Sequence, residues 1–152
     1  MAPNRTKYMS TVLRDKATLN FDAAKLLKEL PNYHHCSSIH CSYYYCFQVV
    51  KYIVVEIFNI DDRSIYSLRK TDLSRQKTEH EFVIEFLHRK LIEKSDTIGA
   101  STFKNKINEL KSLRTNSDYK AISIDKQTSD KAYNLALEVT SILKKAFRYE
   151  SN

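Results

Sequence analysis

Ser37-Ser38-Ile39-His40-Cys41-Ser42-Tyr43-Tyr44-Tyr45-Cys46-Phe47-Gln48-Val49-Val50-Lys51-Tyr52-Ile53-Val54-Val55-Glu56-Ile57 is the stretch on which the fold class turns. Its second half is rich in β-branched residues and invites assignment as a strand. It shows no alternation of period two, however, and it is far longer than a strand needs to be. Ile39, Tyr43, Cys46, Val50, Ile53 or Val54, and Ile57 recur at helical spacing and make one continuous stripe. Tyr44, Phe47, Lys51 and Val55 make a second. The spacing predicts a helix from about Tyr33 to Asn59 that is apolar around most of its circumference. Such a helix is buried on several sides or lies at an oligomer interface.

The surrounding chain agrees. After Pro31 there is no further proline and a single glycine, Gly99, so helix breakers are nearly absent. Leu13, Ala17, Phe21, Ala24, Leu27 and Leu30 predict a first helix from about Ser10 to Leu30, with Ser10 as its cap and Pro31-Asn32 as its stop. The first nine residues read as a flexible arm and 10–150 as one helical domain. Residues 60–76 read as a polar, basic connection. Phe82, Val83, Phe86, Leu87 and Leu91 predict a helix from about Lys77 to Glu93, and Ser95 to Gly99 a turn. Phe103, Ile107, Leu110 and Leu113 predict a helix from about Ser101 to Leu113, followed by a hinge from Arg114 to Ile124. Ala132, Leu135, Ala136, Val139, Ile142, Leu143 and Ala146 predict the last helix, about Lys126 to Arg148, capped by Ser123 or Asp125. The expectation is an all-α fold, an up-down bundle of about five helices, because short connections make sequence neighbours antiparallel.

Composition narrows the function classes. Lys and Arg exceed Asp and Glu by 25 to 18, and the excess is uneven. Arg63, Arg69, Lys70, Arg75 and Lys77 face only Asp72 in their stretch, and Lys104, Lys106, Lys111 and Arg114 face only Glu109. A basic balance of this kind suits a polyanion such as RNA, or a solvated mixed-charge surface. No window approaches the roughly 18 to 20 apolar residues of a membrane-spanning helix, and the start of the chain lacks the apolar core of a signal peptide. A cytoplasmic protein with no membrane contact is expected.

Cys36, Cys41 and Cys46 are odd in number and crowded into one predicted helix, which argues against a disulfide framework. Cys36 and His40 could take two corners of a zinc tetrahedron, but no second Cys or His cluster supplies the others. No metal and no cofactor are expected. A single glycine excludes glycine-rich phosphate loops, and no oxyanion-hole turn accompanies the thiols.

One constellation emerges through resemblance. Ile39 to Lys51, with its Tyr43-Tyr44 pair followed by Phe47, resembles the second helix of HEPN-domain proteins. Ala23-Ala24-Lys25-Leu26-Leu27 resembles that family's first helix, and Lys77 to Ile84 its third. Leu113-Arg114, then Asp118-Tyr119, resembles the family's Leu-Arg … Ala-Asp-Tyr signature, and the run from Ala132 to Ala136 its final helix. The similarity covers about residues 15 to 148 in the family's order.

The resemblance implies a HEPN-like bundle and a homodimer, in a prokaryotic toxin–antitoxin or anti-phage defence system. It would act by RNA binding, by complex formation with a partner such as a nucleotidyltransferase-type antitoxin, or by both. Many HEPN proteins are metal-independent ribonucleases whose Arg is followed four to six positions later by His. Here Arg114 is present, with Asn116 and Asp118 supplying polarity, but Tyr119 stands where that His would fall and no histidine follows His88. This matches the subfamily with Arg-x-x-x-Asp-Tyr. A phenol with an ordinary pKa of about 10 shuttles protons poorly near neutrality. If the chain is a ribonuclease, Arg114 would work with Tyr119, or with His80 approaching from the third helix. As a binding module it would use Asn116, Asp118, Lys111, Tyr43 and Tyr44. In a purely scaffolding bundle, Arg114 would pair with Asp118 one turn on and Tyr119 would close the bundle end. All of these place the Arg114 guanidinium beside the tyrosine-rich helix.

Overall fold

The computed structural model describes residues 5–31, 34–71 and 77–149. Among them are six helices and no strand: α1 Arg5–Leu27, α2 His35–Glu56, α3 Asp62–Lys70, α4 Glu79–Glu93, α5 Thr97–Tyr119 and α6 Lys126–Phe147. The all-α bundle expected from the sequence is the fold. Asn32, Tyr33, 72–76 and the two ends of the chain lie outside the described residues.

α2 is the central rod. Its β-branched tail is helical because Val49, Val50, Ile53, Val54 and Val55 are all buried. Burying each is worth about 1.5–3 kcal/mol, several times the few tenths that a β-branched residue costs a helix. Both apolar stripes find their cover inside the chain, from α1, α4, α5 and α6. α6 runs parallel to α2: Cys46 Sγ lies 3.5 Å from Ala136 O, Tyr45 reaches Thr140, and the Tyr52 and Tyr149 rings meet further along. α1 runs antiparallel to α2, with Ser38 Oγ donating to Ala24 O at 2.9 Å near the start of α2. α5 is also antiparallel to α2, since Ser117 near its end donates to Cys36 O near the start of α2. The end of α5 thus lies beside the first half of α2, and α4 begins part-way along α2, with His80 against Tyr43 and Phe47 and Glu79 paired to Lys51.

Several boundaries differ from those expected. α1 starts at Arg5, so 5–9 are helical rather than a loose arm, and Ser10 is a buried interior residue whose hydroxyl donates to Lys7 O. The polar connection contains a sixth helix, α3, capped by Asp61, with Ile65 as its one buried anchor. α4 starts at Glu79 with a complete capping box between Thr78 and Glu81. α5 absorbs both Gly99 and the supposed hinge up to Tyr119. Asp125, not Ser123, caps α6. No helix among the described residues is long and apolar enough to cross a membrane.

Candidate functional site

The buried seam of α5 runs Phe103, Ile107, Leu110, and the next position at that spacing is Arg114. The same happens in the facing helices. Tyr43 lies on the α2 seam of Ile39, Cys46 and Val50, and His80 opens the α4 seam of Val83, Ile84, Leu87 and Leu91. Where α4 begins against α2 near the last turns of α5, three adjoining seam positions are therefore polar: Tyr43, His80 and Arg114.

Their contacts are specific. The Arg114 side chain is 11% exposed, and its guanidinium carbon lies 4.9 Å from the Tyr43 ring centroid and 5.7 Å from that of Tyr44. A desolvated cation over aromatic rings gains up to about 2 kcal/mol. Its only ion-pair partner among the described residues is Asp118 on the next turn, with Nη1 3.8 Å from Oδ2, and its Nε is buried without a hydrogen-bond partner there. Tyr43 is fully buried, and its hydroxyl meets His80 Nδ1 at 2.6 Å. The His80 ring lies flat on Phe47, centroids 3.8 Å apart and planes within 10°.

Burial sets the protonation. It pushes the Tyr43 phenol up to about 12, against the pull of the neighbouring Arg114 charge. Burial also lowers His80 to about 4, helped by the positive charges of Arg114 and Lys111. Both are neutral near pH 7. Since Arg114 offers only donors beside the phenol, the network assigns Tyr43 O–H as donor to Nδ1 and places the His80 proton on Nε2.

The rim of the cluster includes a residue the sequence reading missed in this role. His40 Nδ1 lies 3.0 Å from the same Asp118 Oδ2, its ring is 4.6 Å from Tyr44, and its side chain is 47% exposed. Asp118 therefore bridges a largely buried guanidinium and an accessible imidazole. The only sequence signal is His40 one turn before Tyr44 on the same helix face, and its spacing from Cys36 points to a metal site instead.

Arg114, His80, Tyr43, Tyr44 and Asp118 come together, with Lys111 close enough to act on His80. Tyr119 and Asn116 do not join them. Continuing the helix turns Tyr119 about 140° and Asn116 about 160° away from Arg114. Tyr119 is 76% exposed. The proton-transfer role considered for Tyr119 thus has no support from position. Among the described residues, no group of three His, Cys, Asp or Glu side chains could hold a metal ion. Burial pushes the Cys46 and Cys41 thiols up, away from the reactive thiolate.

In comparisons with known proteins, the chain matches no family model, no curated protein and no solved structure.

Proposed function

We propose that this protein is a HEPN-type helical module of a prokaryotic toxin–antitoxin or anti-phage defence system. In this reading it holds an RNA phosphate at the Arg114 end of the bundle and works with a partner protein, a nucleotidyltransferase-type antitoxin being one candidate. A homodimer belongs to the same reading. The observation that carries it is the incomplete pairing of Arg114. Its nearest carboxylate contact, at 3.8 Å, is longer than a direct hydrogen bond, and Nε is unpartnered. A phosphate arriving beside His40 would present two oxygens to the planar guanidinium, the bidentate pairing that Arg favours. Binding is favoured over catalysis by Tyr43 and His80, because neither changes its charge near neutral pH.

One observation favours a second reading, a metal-independent ribonuclease: the exposed His40 held by Asp118 beside Arg114. There His40 would take the proton of the RNA 2′-hydroxyl as its oxygen attacks phosphorus. The P–O5′ bond breaks, and the departing 5′ oxygen takes a proton from water. Arg114 would steady the charge on the phosphoryl oxygens.

One experiment addresses both. Fluorescence anisotropy with a single-stranded RNA, in chelator, should show binding that weakens about tenfold in Arg114→Lys, which keeps the charge but loses the fork and the ring stacking. Equal affinities for wild type and variant would refute the binding reading. Intact RNA on a gel would refute the ribonuclease. Cleavage to 2′,3′-cyclic ends that is lost in His40→Asn would establish it.

A further inference from the structure

The outer face of α4 carries a site that the Arg114 cluster does not use. While His80, Val83, Ile84, Leu87 and Leu91 face inward, Phe82, Phe86, Arg89, Lys90 and Glu93 fall on the side toward α3. With Leu68 and Arg69 of α3 they line a groove of about 450 Å³. From Phe82 to Glu93 it follows α4 for about 16 Å, three helical turns. Its floor is apolar: the Phe82 and Phe86 rings lie 6.3 Å apart at 29°, and Leu68 is 44% exposed beside them.

Its rim is cationic in an uneven way. Lys90 is already paired with Glu93 at 2.7 Å, and Lys77 with Glu85 at 2.6 Å. Arg69 and Arg89 have no ion pair among the described residues, and Arg69 Nε is buried without a hydrogen-bond partner. Two guanidinium groups with no carboxylate partner among the described residues, beside an aromatic floor, call for an occupant with carboxylates and an apolar anchor. A single-stranded nucleic acid fits less well. The exposed ring on which a base would stack, Tyr66, already carries Arg69 and Lys70 at 5.2 and 4.0 Å, and Glu93 stands on the rim. A second copy seated on this groove would bring a chain of net charge +7 to a cationic rim, which leaves a dimer through another face untouched.

We propose that the α3–α4 groove docks an acidic segment of a partner protein. Apolar or aromatic side chains of that segment rest on Leu68, Phe82 and Phe86, and its carboxylates pair with Arg69 and Arg89. The proposal builds on the reading that this protein works with a partner, and it is independent of RNA contact at Arg114.

The test is selection of displayed decapeptides on the full chain, followed by anisotropy with the enriched peptides. An enriched pattern of Asp or Glu with Phe, Tyr or Leu is expected. Those peptides should lose at least tenfold in affinity on Arg89→Glu, an exposed and structurally undemanding change, and on Arg69→Gln, while Arg114→Lys leaves them unaffected. Circular dichroism confirms that the variants fold. No acidic–apolar pattern, or peptides indifferent to both groove variants, would overturn the proposal. So would a single-stranded RNA decamer whose binding, rather than the peptides', depends on Arg89. Loss of RNA binding in Arg114→Lys with intact peptide binding separates the two sites.

Discussion

His80 sits where the α4 seam would ordinarily place an aliphatic residue, flat against Phe47 and bonded to a buried phenol. The fold accepts it as a neutral ring, and that has a pH consequence. Its folded pKa, about 4, lies below the ordinary 6.5, so the unfolded chain binds more protons between those values. Above pH 6.5 there is no penalty. As pH falls from 6.5 to 4 the penalty grows, and below 4 it is fully present. Discounted for the partial exposure of the ring, the loss should be on the order of 1–2 kcal/mol. Urea midpoints at pH 7 and pH 4.5 should fall further apart for wild type than for His80→Gln, which keeps an acceptor for Tyr43. Equal differences would show that His80 is not held neutral. Tyr43, Tyr44 and Arg114 could be singled out from sequence because they stand in short, recognisable patterns. The His40–Asp118 contact could not, because it joins residues 78 apart whose meeting depends on the antiparallel placement of α2 and α5.

Helix limits were the least legible feature, and each miss has a cause. An apolar stripe locates a helix only while its inward residues are apolar. Arg114 interrupts the α5 stripe without interrupting the helix, so the pattern ended at Leu113, short of Tyr119. α3 buries only Ile65, and with Leu68 as the one further apolar residue on that side its stripe is too short to read. Gly99 read as a turn, yet it lies in the first turn of α5, where the Asp96 carboxylate accepts from its N–H at 2.8 Å. A Cβ at 99 would lie 2.1 Å from Asp96 Oδ2. The absent side chain is thus what lets the cap close, and the two residues should be coupled. Asp96→Ala alone should cost about 1 kcal/mol of unfolding free energy as a lost N-cap. Gly99→Ala should yield little of the roughly 1 kcal/mol that alanine usually gains over glycine in a helix, because it displaces the cap. In the Asp96→Ala background the same change should recover that gain. Additive effects in the double-mutant cycle would contradict the coupling.

At the scale of the whole molecule, the all-α class was legible because glycine and proline are so scarce and the stripes so long. The central place of α2 was half legible: its two apolar faces demanded cover, and four neighbouring helices supply it. Charge was legible as a sum but not as a map. Several of the cations are matched by carboxylates, with Lys106 paired to Glu138, Lys131 to Glu109 at 2.5 Å, and Lys51 to both Asp62 and Glu79. Lys111 differs, since its charge falls on the His80–Arg114 cluster. This separates diffuse attraction of RNA to a basic protein from contact at one place. Each phosphate neutralised on a single strand contributes about −0.7 to the slope of log affinity against log salt. Lys111→Ala should therefore make the slope shallower by about 0.7, whereas Lys131→Ala, which removes a cation already matched by a carboxylate, should leave it within error of wild type. If the two variants shift the slope equally, RNA is held by the general field of the protein and the Arg114 end of the bundle has no privileged part in it.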